Sequence, residues 1–484
     1  MYPGEYRGEH RLPSTGGADT AKYNYGEIVS RAKGSYSAAL PNHEGKQRRM
    51  KALVLGSGGR EHAILWALKR TASEPLTLYC APGNAGIAEL AECVDISLND
   101  HRCLMDLVQT HEIDLTIVGP EGPLAAGIVD DFQQNGLRIV GPTRAAARLE
   151  SSKSFAKNFM RRHNIPTAEY FVADSTAEAL ATLDSGRFGA PDAAVVVKAD
   201  GLAAGKGVVV AASRAAASDA IVDLTAGVLV PAEASRQILL EEALQGREVS
   251  VLLFADGRDN ALMPAARDHK RVGENDTGPN TGGMGAITDT AVLDDETLAR
   301  IIREVVEPTL SGAAEEGFPF HGALFIGLML TADGPKVLEY NVRFGDPETQ
   351  AILMRLNSDL LKIFQATIDG TLRDVKVDWS SQASACVVLA SGGYPGNYET
   401  GKTISGLDDV VTSNHLQTFH AGTSRTEGGE LITSGGRVLG VTAADATLRD
   451  ALASCYNIAG RISWQGMQYR RDIGRFYDTL KANN

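Results

Sequence analysis

Cysteine is scarce and badly spaced for a covalent or zinc-held framework. The five present, Cys80, Cys93, Cys103, Cys386 and Cys455, are odd in number and form no C-x-x-C pair. That pattern fits a reducing compartment and argues against a disulfide scaffold. No apolar run reaches the roughly 18 residues needed to cross a bilayer. Positive charge is in deficit: 47 Lys and Arg against 60 Asp and Glu leave a net charge of -13. This argues against broad nucleic-acid binding, which needs a basic face, but leaves room for local basic pockets that take phosphorylated metabolites. The G-x-S-x-G and H-E-x-x-H signatures are also missing, which makes hydrolase and zinc chemistry poor readings. The expectation is a cytoplasmic protein, monomeric or weakly oligomeric, with neither membrane nor nucleic-acid partners.

What is present is a long chain of ordinary composition. Its 484 residues are 43% hydrophobic and 22% charged. That length exceeds one core, so roughly two to four domains are expected. Residues 1–49 are polar, rich in Gly and Tyr and without periodicity. They read as a disordered extension or as sequence upstream of a start at Met50, and the lack of an apolar core rules out a secretory signal. From Met50, apolar runs ending in glycine (KALVLGSGG, LTLYCAPG, DLTIVGPEGPL, LRIVGPT) alternate with helix-like segments. This predicts a parallel α/β domain over 50–150. Its ligand edge lies at the carboxyl ends of the strands, at Gly56–Glu61, Pro82–Gly86 and Gly119–Pro123. A second domain is expected over 151–376, with a subdomain at about 172–240, and a smaller β-rich domain over 377–484.

Three motifs invite a phosphate. GSGGRE at Gly56–Glu61 follows a strand and opens a helix. A dinucleotide fingerprint asks for glycine at its sixth position. Glu61 stands there, which shifts the expectation to a smaller phosphate ester held by helix N–H groups (Gly58, Gly59) and Arg60. The second, AVVVKADGLAAGKGVVVA, sets Lys198 and Lys206 around Gly201, Gly205 and Gly207. A Walker loop needs four residues before its Gly-Lys pair and a hydroxyl after it. This loop has three, then Gly207, and joins two strands. It reads as a flexible flap closing over a triphosphate above Lys198, with a plain glycine hairpin as the alternative. In the third, LEYN, Glu339 and Asn341 are two apart on an expected strand. Their oxygens then face one way and suit a hard Mg2+ ion that also holds phosphates. Arg343 is expected on that face, beside a turn formed by Gly345, Asp346 and Pro347.

Other charged residues have blander readings. Glu241, Glu242 and Glu248 bracket a short hinge, with Glu248 placed to accept ribose hydroxyls or simply forming a solvated acidic edge. His269, Lys270 and Arg271 read as a charged surface run, and His62 as a helix residue near a pocket.

Taken together, LGSGGREHA, APGNAG, VGPEGPLAAGIVD, SKSFAKNFM, VVKADGLAAGKGVVVA, DHKRVGENDTGPNTGGMGA, LEYNVRFGDPETQ, GGRVLGVTA and YRRDIG occur in order. They resemble the phosphoribosylamine–glycine ligase family of the ATP-grasp superfamily from about Met50 onward. The departures are small: Gly122 stands where members often carry Ala, and Tyr340 where Phe is usual. The resemblance implies an α/β fold with α+β elements: an N-terminal parallel domain, a central ATP-grasp domain with a mobile lid, and a small β-rich C-terminal domain. It implies that ATP, glycine and 5-phosphoribosylamine give ADP, phosphate and glycinamide ribonucleotide through glycyl phosphate, with Mg2+ or Mn2+.

By matched position, Lys153 and Lys198 resemble the phosphate lysines and Gly201–Gly207 the closing loop. Glu241 and Glu242 fall at the adenine hinge, Glu248 near the ribose, and Glu339 and Asn341 at the metal. Lys198, Arg343 and Asp346 take catalytic parts. Gly58, Gly59, Arg60, Glu61, Asn84, Pro120 and Glu121 would hold phosphoribosylamine, while Asn280, Thr281, Gly282 and Gly283 shape the junction between substrates. Another ATP-grasp carboxylate–amine ligase, a non-catalytic nucleotide-binding relative and a dehydrogenase remain the competing readings.

Overall fold

The computed structural model describes residues 49–203, 207–228, 230, 232–408 and 410–475; the extension expected at the N-terminus lies outside them up to residue 48. The first sheet is parallel, in the order Glu92–Cys93, Leu76–Pro82, Met50–Gly56, Leu115–Val118, Ile139–Val140. Its central strand is buried from Ala52 to Gly56, as an apolar run covered on both faces should be. The chain leaves Met50–Gly56 toward one side and returns on the other at Leu115–Val118, so a switch point opens between Gly56 and Gly119. A crevice at such a point is where α/β sheets take ligands.

The strand Arg247–Asp256 shows why a strand can carry an unbroken apolar run, here Val251 to Ala255. Val249, Val251, Leu253 and Ala255 face one core. Leu252 and Phe254 face another, shared with Ala52, Val54 and Ile64 of the first domain. The period of two is intact, but both faces are covered. Each fully buried Leu or Phe here contributes about 1.5–3 kcal/mol of transfer free energy.

This strand belongs to a nine-stranded sheet whose order is Gly334–Asn341, His321–Thr331, Arg247–Asp256, Ala266–Asp268, Gly285–Thr288, Ala383–Ala390, Arg437–Asp445, Leu416–His420, with Asn260–Leu262 paired alongside. Gly285–Thr288 pairs antiparallel with Ala383–Ala390. The central region and the C-terminal strands therefore share one continuous sheet, which crosses the boundary expected at 376.

The segment expected as a subdomain forms its own antiparallel sheet, in the order Tyr170–Ala173, Ile238–Glu242, Val195–Ala199, Val208–Ala211. The helices Thr176–Asp184 and Arg214–Thr225 cover it. Ser175 and Ser213 cap them by accepting the amides of Glu178 and Ala216, as serine at an N-cap does. This unit has a separate apolar core around Val197, Ile221, Leu224 and Leu240.

Candidate active site

A cavity of about 520 Å3 lies between the four-stranded sheet and the central sheet. Lys153, Lys198, Gly207, Glu241, Asn280, Thr281, Gly282, Glu339, Asn341, Arg343 and Asp346 line it, with Arg60, Pro120 and Glu121 from the first domain. Glu339 and Asn341 share one face at the end of Gly334–Asn341, as their spacing predicts. Arg343 lies beyond that strand, yet its Nη2 donates to Asn341 Oδ1 at 3.1 Å. Gly201 accepts from Lys153 Nζ through its carbonyl at 3.0 Å. Gly205 and Lys206, expected in the flap, lie outside the described residues.

Two buried lysines in the cavity share one carboxylate. Glu241, 2% exposed, meets Lys198 at 2.9 Å and Lys157 at 2.8 Å. Burial pushes its carboxyl up, but the two ammonium groups outweigh that and hold it below the usual carboxylate range. Burial pulls Lys157 down to about 8 against the attraction of Glu241, and also lowers Lys153. Glu242 pairs with Lys336 at 3.2 Å, outside the cavity lining.

Lys270, expected in a surface run, instead lines the cavity. It stands 3.2 Å from Glu248 and 3.8 Å from Glu339. Burial opposes its charge, yet Glu248, Asp268 and Glu339 drive it well above the normal lysine range. His269 beside it is 3% exposed and accepts the Gly474 amide at 3.0 Å. His269 and Lys270 are carried inward because Ala266–Asp268 and Gly285–Thr288 are neighbouring strands of the central sheet, while Arg271 stays half-exposed and donates to the Gly278 carbonyl at 2.8 Å.

Arg343 is gripped by two carboxylates, Glu121 and Glu150, each at 3.2 Å. Those charges raise it further above the arginine range despite burial. Glu150 also accepts the Val342 amide at 2.7 Å. Burial, which Arg343 only partly offsets, lifts Glu150 to about 7. Among the described residues no group of three or more His, Cys, Asp or Glu side chains is arranged to hold a metal ion. The oxygen pair Glu339 and Asn341 still fits a hard cation that takes its other ligands from phosphate and water. Glu339 is suited to it: burial pushes the carboxyl up, but Lys270, Lys198 and Lys153 keep it ionised.

A second cavity, of about 380 Å3, adjoins the first. Ser57, Gly58, Gly83 and Asn84 line one side, and Ala421, Gly422, Thr423, Ser434 and Gly435 the other. Gly58 precedes the helix Gly59–Thr71 and donates its amide to Glu61 at 2.6 Å. Glu61 is 2% exposed and bonded to Arg60 at 2.6 Å, so it ties the turn together from below. Gly59 packs against Gln350, which lies 2.7 Å from where a Cβ would stand. Asn84 clamps the two sides, donating to the carbonyls of Ser57 and His420 at 2.8 and 2.9 Å. His62 accepts the His420 amide at 2.9 Å, and burial lowers the two imidazoles to about 3 and about 4. Gly283 lies against Pro347, where a Cβ would come within 2.4 Å of the ring.

Sequence models of one family match three successive stretches: phosphoribosylglycinamide synthetase N domain over residues 50–150, its ATP-grasp (A) domain over 151–349 and its C domain over 384–476. The chain belongs to the phosphoribosylglycinamide synthetase family. It is 47% identical to the phosphoribosylamine–glycine ligase of Brucella melitensis, covering 90% of this chain and 100% of that one. The Vibrio cholerae ligase is 49% identical over 88% and 98% of the two chains. The crystal structure of the Thermotoga maritima ligase superposes with a TM-score of 0.73 at 32% identity, over 87% of this chain and all of that one. Membership makes the chain an ATP-grasp ligase that forms a carbon–nitrogen bond.

Within the family's motifs, several cavity residues went unassigned by sequence reasoning. Lys157 sits in SKSFAKNFM, Asp268 and Lys270 in DHKR, Glu348 in RFGDPETQ and Arg437 in GGRVLGVTA. Glu150 lies just before the first of these. For Lys157, the i to i+4 spacing from Lys153 on the helix Lys153–Arg162 was the available signal, since it places both lysines on one face.

Proposed function

We propose that the larger cavity seats ATP and glycine, the smaller one seats phosphoribosylamine, and the products are glycinamide ribonucleotide, ADP and phosphate, in purine biosynthesis. One observation carries the reading: the two cavities meet, sharing Asp346 and Arg437 as common lining. A carboxylate does not react with an amine until its oxygen becomes a leaving group. Phosphorylating glycine on one side of a shared wall and delivering the amine from the other meets that requirement.

Lys153 and Lys198 hold phosphate oxygens, and the flap read from the sequence at Gly201–Gly207 would exclude water from them, its Gly205 and Lys206 lying outside the described residues. Glu241, committed to Lys157 and Lys198, keeps those lysines in place, and its backbone with that of Glu242 faces the adenine; Glu248 takes the ribose side. Glu339 and Asn341 hold Mg2+ or Mn2+, which on binding would draw charge from the transferred phosphoryl group. Seven cationic and seven acidic side chains line the cavity, so the protein alone does not neutralise a triphosphate, which favours a cation arriving with it. Arg343 orients glycine and stabilises charge on the acyl phosphate, and Asp346 faces the amine. Gly58 and Asn84 hold phosphoribosylamine in the smaller cavity, with Gly59 and Glu61 in the turn beneath, and Arg60, Pro120 and Glu121 reach its amine end from the larger cavity. Asn280, Thr281, Gly282 and Gly283 line the passage.

The test is phosphate release from ATP with glycine and phosphoribosylamine generated in situ, each omitted in turn. Release that needs both, with glycinamide ribonucleotide formed, is expected. A folded, ATP-binding protein that stays silent with both substrates overturns the assignment.

A further inference from the structure

Asp346 stands in the wall common to both cavities and is held from two sides. Gln350 Nε2 donates to its Oδ1 at 2.7 Å. Arg437, on the C-terminal strand Arg437–Asp445, meets its Oδ2 at 3.1 Å. The same guanidinium donates through Nη1 to the carbonyls of Asp346 and Gly282 at 2.7 and 2.6 Å. Oδ2 lies 3.5 Å from where a Cβ on Gly58 would stand, so it faces the glycine turn of the smaller cavity.

We propose that Arg437 is a positioning residue for ligation: it fixes the Asp346 carboxylate where it receives the N–H of the incoming amine, and thereby makes the C-terminal strand part of the reacting centre. The inference rests on the assignment of the two cavities above. In the step, the amine nitrogen bonds to the acyl carbon, the carbon–oxygen bond to phosphate breaks, phosphate leaves with the electron pair, and the surplus N–H proton passes to Asp346. That role needs an ionised carboxylate with one lone pair aimed at the smaller cavity. A fork of donors on a planar guanidinium gives this orientation, and a lysine ammonium does not. Arg60, Arg343 and Arg437 are the charged groups acting on Asp346, with the neutral Cys386 thiol and Glu348 nearby. Burial pushes the carboxyl up, and Arg437 is the largest influence holding it down.

The experiment compares wild type, Arg437→Met, Arg437→Lys and Gln350→Leu in steady state, varying phosphoribosylamine and ATP separately across pH. For Arg437→Met the expected result is a fall of about 100-fold in kcat/KM for the amine, the order of loss found when one preorganised hydrogen-bond donor is removed from an active site, with the KM for ATP within about twofold. Its acid limb should move to higher pH, because the carboxyl loses its main counter-charge. Arg437→Lys should restore the acid limb but only part of the rate. Should Arg437→Met fail to fold, Gln350→Leu asks the same question at the other oxygen, with a smaller rate loss and an upward shift of the limb. Unchanged amine kinetics and pH profile in folded variants overturn the proposal, as does an equal loss in the ATP and amine parameters. A wild type that forms no glycinamide ribonucleotide overturns the cavity assignment instead, so the two failures are distinguishable.

Discussion

At the scale of single residues, most of the chemistry here is a matter of which buried charge has which partner. Glu150 is the clearest case, a carboxyl lifted from 4.5 to about 7. Between those values the folded chain holds a proton that the unfolded chain has released. Stability from this group is therefore lost as pH rises from about 4.5 to about 7. This group adds a decline of roughly 2–3 kcal/mol to the urea unfolding free energy of the ligand-free protein over that window, on top of those from Glu348 and Asp268, which burial also raises; Glu150→Gln should make the slope shallower, and an unchanged slope would mean Glu150 is ionised. Glu241→Gln should behave differently, leaving Lys157 and Lys198 facing each other without a counter-charge. A loss of about 3–5 kcal/mol in unfolding free energy is expected, and a loss below 1 kcal/mol would show the lysines relaxing to water. The two family departures are accommodated: a Cβ at Gly122 would meet nothing within 4 Å. The Tyr340 hydroxyl pairs with Thr309 Oγ1 at 2.7 Å.

At the scale of elements, the junction between the first domain and the C-terminal strands depends on close backbone approach. A Cβ on Gly86 would come within 2.4 Å of the His420 ring and 2.7 Å of His62. Gly86→Ala should therefore cost about 1–3 kcal/mol, seen as a lower urea midpoint, whereas a wild-type midpoint would show that the rings can move aside. The same junction should weaken in acid. Both imidazoles are depressed by burial, so they are neutral in the fold and bind protons more readily when unfolded. Their contribution is present above about pH 6.5 and lost as pH falls toward 3 or 4. The four-stranded unit, with a separate apolar core, is the element able to open alone. Amides of Val195–Ala199 and Val208–Ala211 should exchange faster than those of Arg247–Asp256, and ATP with Mg2+ should slow the former selectively.

At the scale of the whole molecule, one sheet joins the ATP-grasp strands to the C-terminal strands. Residues on both sides of 376 should consequently lose structure together. Trp379 donates its indole N–H to the Leu262 carbonyl of the ATP-grasp strands at 3.2 Å, whereas Trp464 shares a core with Val387, Leu439 and Val441 of the C-terminal strands, so single-tryptophan variants retaining one or the other should report coincident urea transitions. Separate midpoints would show that the pairing of Gly285–Thr288 with Ala383–Ala390 does not couple the two regions.

Much of this was legible along the chain because it is local. Apolar runs ending in glycine marked the parallel strands and their ligand edge. The loop length at Gly201–Gly207 separated a flap from a Walker loop, and the i, i+2 spacing of Glu339 and Asn341 placed two oxygens on one face. Those features depend only on the period of a strand and the conformational freedom of glycine. What tertiary structure alone decided was which charges are buried and with whom. Glu241 reads as a hinge residue until Lys157 and Lys198 close on it, and Lys270 as a surface residue until neighbouring strands enclose it. Arg437 carries no chemistry in GGRVLGVTA until its strand sets it 91 residues away against Asp346. The physical reason is that the cost of a buried charge and its repayment by a partner are set by what the fold lays over it, a quantity with no counterpart in linear spacing.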